Sequence, residues 1–149
     1  MKMKMKNLFI ATLILAFFVT SCSKEKKALK NIEGTWSLNT WKADSAGVES
    51  EHIAWALAQA FGVTGVDFIF DKCESGETCN SYTVSKPSSL SSTDTNTYSI
   101  SSDGATFTMD SIDFNIDKLN KSTFEISRED DSQEWYSTTI TEIITFTKE

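Results

Sequence analysis

The chain has 149 residues, with 14 basic against 21 acidic side chains, a net charge of −7 and a single histidine. Nucleic-acid recognition needs a basic footprint, which so acidic a chain does not offer. One histidine and three cysteines supply no four-ligand metal spacing, and one histidine beside many serines is not a catalytic triad.

Lys2, Lys4 and Lys6 precede an apolar stretch from Leu8 to Val19, broken only by Thr12. A helix of that length spans about 18 Å, short of the roughly 30 Å hydrocarbon core. The pattern is that of a secretory signal. Val19-Thr20-Ser21-Cys22 resembles the lipobox of bacterial lipoproteins. The resemblance implies cleavage before Cys22, diacylglycerol on its thiol, acylation of its new amino group, and attachment to a membrane. Plain secretion and an uncleaved anchor are the alternatives. Ser23, where Asp would retain the protein, points by analogy with lipoprotein sorting to the outer membrane. The organisation then reads as signal peptide 1–21, lipid-anchored tether 22–32 and folded domain 33–149. The tether's lysines, from Lys24 to Lys30, are placed to touch anionic head groups. Without residues 1–21 the chain keeps 11 basic and 21 acidic residues, a net −10, in one domain's length.

Period-2 alternation dominates the rest. It predicts eight strands, near residues 34–42, 66–73, 79–86, 95–101, 104–109, 112–117, 122–129 and 134–148. One short helix, about 51–61, follows the first strand. Ser50 is its expected N-cap, Gly62 its stop, and Ile53, Leu57 and Phe61 form one face. The registers agree with one another. Cys73 opposite Cys79 sets Phe70 against Tyr82 and Phe68 against Val84. A turn at Asp110-Ser111 sets Met109 against Ile112 and Phe107 against Phe114. The neighbouring hairpins set Ile100 against Ala105, Tyr98 against Phe107, Phe114 against Phe124 and Ile112 against Ile126. Each places apolar opposite apolar, the signature of an antiparallel meander with one dry face. The expected fold is all-β, a single eight-stranded up-and-down barrel; an open sheet wrapped on the helix is the alternative. Cys73 and Cys79 fall on the outer face at disulfide range, and the envelope oxidises such pairs.

Gly34-Thr35-Trp36 at the entry of the first strand resembles the lipocalin opening motif. With the meander and the lipobox, it makes the chain similar to small lipocalin-like domains of bacterial lipoproteins. The resemblance implies that Trp36 plugs one barrel end beneath a basic residue, Arg128 or Lys148. It also implies that the helix lies over the mouth as a lid. No clear Thr-Asp-Tyr motif accompanies it.

Such a barrel is either filled by side chains or holds one small ligand. The candidate lining residues are Phe68, Phe70, Tyr82, Tyr98, Phe107, Phe114, Phe124 and Glu142, with Trp41 and Trp55 as packing or mouth residues. Glu142 falls on the inner row of the last strand. A β-bulge at Ile143-Ile144 that turns it outward is the first explanation, and a polar ligand contact the second. His52 is expected to be exposed, and Glu129-Asp130-Asp131 to be a solvated turn. Asp44-Ser45-Ala46 and Asp110-Ser111-Ile112 resemble a bacterial O-glycosylation signal. The expected function is non-catalytic binding of a small apolar or amphipathic molecule, without cofactor or metal. The alternative is a packed barrel that binds a protein or glycan through its loops, for example as an inhibitor of a secreted protease.

Overall fold

The structure, a computed structural model, describes residues 24–87, 93–131 and 138–149. Residues 1–21, expected as signal peptide, and Cys22, Ser23 and Trp135 lie outside the described residues. The strands are β1 (Gly34–Ser45), β2 (Val48–Glu51), β3 (Gly65–Phe70), β4 (Cys79–Lys86), β5 (Thr93–Ile100), β6 (Thr106–Met109), β7 (Ile112–Leu119), β8 (Thr123–Asp130) and β9 (Ile140–Lys148). Among the described residues two helices accompany them, α1 at residues 24–32, before β1, and α2 (Ile53–Ala60), between β2 and β3. From β3 onward each strand pairs antiparallel with the next, and β1 pairs with β3. β9 returns to β1, from Trp36↔Lys148 to Asp44↔Thr141, and closes an eight-stranded barrel. β2 is an extra strand on the far half of β1.

Trp36 closes one end. Its side chain is fully buried, and its Nε1 donates to the Ile32 carbonyl at 2.6 Å. Lys148 Nζ stands 5.1 Å above the indole ring and donates to the carbonyls of Glu33 at 2.6 Å and Asn31 at 3.1 Å. Lys148 is therefore the basic partner, while Arg128 lies over Phe114 instead. Gly34 sits where both meet. Its φ is +117°, and a Cβ there would stand 3.2 Å from Lys148 Cε, so the close approach requires glycine.

Residues 24–32, expected as tether, are helical and part of the plug. Ala28, Leu29 and Ile32 are buried in the core. Glu25 is buried with them and accepts from the Gly76 N–H at 2.7 Å and from Ser75 Oγ. The spacing 25, 28, 29, 32 is one helix face. The lysines between these positions are exposed.

The hairpins show what alternation can and cannot settle. The β6–β7 pairing is as expected, with Met109↔Ile112 and Phe107↔Phe114. Its turn carries positive φ at Asp110 and Ser111, the backbone a tight hairpin prefers. β5–β6 is shifted by two, to Ile100↔Phe107 and Tyr98↔Met109. β7–β8 is shifted by four, to Ile116↔Ile126, with a bulge between Ile116 and Lys118. Even shifts keep the same residues inside. The β3–β4 shift is odd: Phe70 pairs with Ser81, Ile69 with Tyr82 and Phe68 with Thr83. Tyr82 is therefore outside, its hydroxyl donating to Asp71 Oδ2 at 3.3 Å, and it lines no interior. Two bonds pin the register. The Asp71 N–H donates to the Asn80 carbonyl at 3.2 Å, and the Tyr98 hydroxyl donates to the Asp71 carbonyl at 2.5 Å. The expected disulfide joins Cys73 and Cys79 with Cα atoms 5.7 Å apart, but both sulfurs pack against the core rather than facing outward.

The helix α2 differs from expectation in its cap and its face. Its N-cap is His52, because Ser50 belongs to β2. Gly62, at φ +92°, follows its last turn as expected. Ile53, Leu57 and Phe61 face outward, Phe61 at 80 % exposure, while Trp55 is the buried side chain.

Replacing Trp36 by Ala should cost about 3–5 kcal/mol, from lost transfer energy and an unfilled cavity. Phe61→Ala should stay within about 0.5 kcal/mol of wild type. Denaturant melts of both variants check this, and a Trp36→Ala midpoint close to wild type would remove the plug.

Candidate functional site

The site begins with a row of small side chains. The odd register turns Ser81, Thr83 and Ser85 of β4 to the interior, opposite Phe70, Phe68 and Val66. Where large residues would have met, a void of about 420 Å³ remains at the open end. Ligand pockets commonly start near 300 Å³. Of the expected lining residues, Phe68, Phe70, Phe107, Phe114 and Glu142 border it. Tyr98 and Phe124 are buried in the packed core with Trp36, and Tyr82 is outside. Ala54, Trp55 and Ala58 of α2 form one wall, so the helix covers the cavity as the lipocalin resemblance implied.

Trp41 enters through a bulge. The β1–β9 register shifts between Leu38 and Thr40. Residues 36 and 38 face inward before Asn39, and Trp41 and Ala43 after it. In the sequence the slip shows as two polar residues in a row, Asn39-Thr40, between the apolar positions 36 and 38 and the apolar positions 41 and 43. Trp41 and Trp55 also border an outer cleft of about 280 Å³ between β1, β2 and α2, so the two indoles separate that cleft from the interior.

The bulge expected at Ile143-Ile144 does not exist. β8 and β9 pair without interruption from Thr123↔Thr147 to Asp130↔Ile140, and Glu142 stays inside at 3 % exposure. A lone carboxylate there would be costly. Both oxygens are met: His52 Nε2 lies 2.9 Å from Oε1, and Arg128 Nε lies 2.5 Å from Oε2. Arg128 also reaches Asp130 at 3.5 Å and lies 5.5 Å from the Phe114 ring centre. Asp130 therefore belongs to this network rather than to a solvated turn.

His52, expected to be exposed, is 3 % exposed. Its Nδ1 accepts the Ala54 N–H at 3.2 Å, which places the ring proton on Nε2, toward Glu142. Its ring stacks on Trp41, centroids 4.5 Å apart and planes 10° from parallel. Burial pushes the His52 pKa below its usual value and outweighs the opposing pull of Glu142 and Asp130. The neutral ring thus caps α2 and ties it to β9 at once. The arrangement is a mostly apolar chamber with one hydrogen-bonded charged wall. Among the described residues, no group of three or more His, Cys, Asp or Glu is placed to hold a metal ion.

No family model matches the sequence, and no curated protein matches it. Among solved structures, the barrel is similar to that of the siderocalin Ex-FABP, reported to function through dual ligand specificities. The TM-score is 0.53 at 10 % identity, over 80 % of this chain and 74 % of that one. At that identity the likeness establishes a lipocalin-like barrel fold.

A neutral His52 makes stability depend on pH. Its folded pKa lies below the unfolded value, so the unfolded chain takes up the proton first. The stabilisation is present above about pH 6.5 and is lost as pH falls through the folded pKa. Protonation also removes the acceptor that caps α2. Thermal melts between pH 7.5 and 5 should therefore fall more steeply for wild type than for His52→Asn, which caps without titrating. Parallel curves would contradict this role.

Proposed function

We propose that the protein binds a small apolar or amphipathic molecule in the barrel mouth, as a non-catalytic, lipid-anchored protein of the bacterial envelope. The observation that carries the binding reading is the void of about 420 Å³ walled by Phe68, Trp55, Met109 and Ile144. Dual ligand specificity in a protein of similar fold supports it. N-phenyl-naphthylamine, a neutral apolar dye, should bind at one saturable site with a blue-shifted emission. Ser85→Phe, which fills the void from β4, should weaken binding at least about tenfold, and Phe61→Ala on the outer face should not. A dye that ignores Ser85→Phe but is lost with Phe61→Ala would move the site to the outside of α2.

A second reading rests on that outer face. Ile53, Leu57 and Phe61, with Val48 at the adjoining hairpin, are large and exposed, which suits a protein partner.

The anchor rests on Val19-Thr20-Ser21-Cys22 after a short apolar run. No helix among the described residues is long and apolar enough to cross a membrane. The outer membrane is the proposed location, from Ser23. Cys22→Ala should abolish incorporation of a fatty-acid label in cells, and label that survives the substitution would sink the anchor.

A further inference from the structure

The charged groups that face the chamber determine what kind of polar end its occupant carries. β8 contributes Arg128 and Asp130, and β9 contributes Glu142 on the same inner row. β5 places Asp94 opposite Thr83, whose side chain borders the void. α2 and its flanks, residues 52–66, contain no charged side chain besides the neutral His52. The rows from β1, β3, β6 and β7 bring apolar groups only, among them Trp41, Val66, Met109 and Ile112. Among the described residues, one cation therefore shares the lining with Glu142, and two further carboxylates, Asp130 and the exposed Asp94, stand on the inner rows beyond it. That cation is already held by two of these carboxylates, Glu142 at 2.5 Å and Asp130 at 3.5 Å.

The geometry points to an occupant that is an apolar molecule ending in an amine, and to a chamber that selects against carboxylates and phosphates. This deepens the cavity-binding reading and rests on it. The charge of Arg128 is already offset by Glu142 and Asp130, so an anionic head group that takes one of its remaining N–H groups also meets two carboxylates of its own sign in a poorly solvated site. An ammonium group meets the opposite field, from Asp130 and Asp94 at the rim and Glu142 below. Thr83 and Ser85 on the facing wall add hydroxyl oxygens that accept from its N–H groups. At a separation of about 6 Å in a partly solvated mouth, screened charges of this kind are worth about tenfold in affinity.

Decylamine, decanol and decanoate share one chain length and differ only in head group. At pH 7.5 the amine is charged and the acid ionised. Each is titrated against the N-phenyl-naphthylamine complex of the purified protein at low salt. The expected order is amine, then alcohol, then carboxylate, with about tenfold between first and last. Raising the salt to 0.5 M should narrow that gap. Asp130→Asn, at a partly exposed position, should narrow it as well by releasing Arg128. Decanoate binding as tightly as decylamine would overturn the inference, and so would decanol binding more tightly than the amine, or a gap that neither salt nor Asp130→Asn changes. If the dye binds none of the way into the chamber and no decyl compound competes, the cavity reading itself falls. If the dye binds in a Ser85→Phe-sensitive way and decanoate wins, only the head-group inference falls.

Discussion

β4 carries its large side chains on one row and its small ones on the other. Pairing Phe70 with Ser81 and Phe68 with Thr83 places Ser81, Thr83 and Ser85 inside and leaves Tyr82 and Val84 outside. The opposite parity would have sent a phenol ring and a valine into the void. An eight-stranded barrel has just enough interior for its own side chains, so one strand of small residues is what leaves room for a guest. On β3 itself Asp67 stands on the outer row, where it accepts from Ser37 Oγ at 2.7 Å and pairs with Lys86 at 2.8 Å. The same parity of β4 turns Cys79 inward, where the disulfide to Cys73 lies against the packed end.

The two ends of the barrel are built by different physics. At the closed end, aromatic rings meet edge to face: Trp36 with Phe124 at 5.9 Å and Phe70 with Tyr98 at 5.1 Å between centroids. α1 lies beneath them, and Lys148 seals the seam by donating to its last carbonyls. At the open end the packing is replaced by the Glu142 network. That network is expensive to bury and contributes little net stability as a pair, but it fixes α2 over the void. Breaking it by removing one partner would leave an uncompensated charge. The helix that covers the chamber is therefore held by a histidine, a carboxylate and a guanidinium as well as by the buried Trp55, while Ile53, Leu57 and Phe61 are left facing outward.

Much of this was legible in the sequence. Gly34 and Trp36 marked the closed end, alternation gave the meander, and the Asp110-Ser111 turn fixed one register outright. Alternation constrains parity and not position, so shifts of two and four at β5–β6 and β7–β8 passed unseen without moving any side chain across the sheet. It fails where both faces are apolar. Ile69, Tyr82 and Val84 look as core-like as Phe68 and Phe70, and the cysteine pair, set opposite each other, gave the wrong parity. In α2 nearly every residue is apolar, so composition could not say which face is buried. The bulge at Asn39, which brings Trp41 inside, leaves one mark, the two polar residues Asn39-Thr40 in a row between Leu38 and Trp41, which an uninterrupted first strand passes over. Glu142 was visible as an anomaly, but its partner His52 lies 90 positions away in the chain. The helical spacing 25, 28, 29, 32 was present and was masked by the lysines between.

The barrel is hollow at its open end because β4 shows its small residues to the interior. A crystal of the protein pressurised with xenon tests this most directly, since dry apolar cavities take up xenon. Xenon density is expected between Phe68, Thr83 and Phe146, with Tyr82 on the outer surface. A barrel that takes up no xenon, with the Tyr82 ring in its interior, would contradict it.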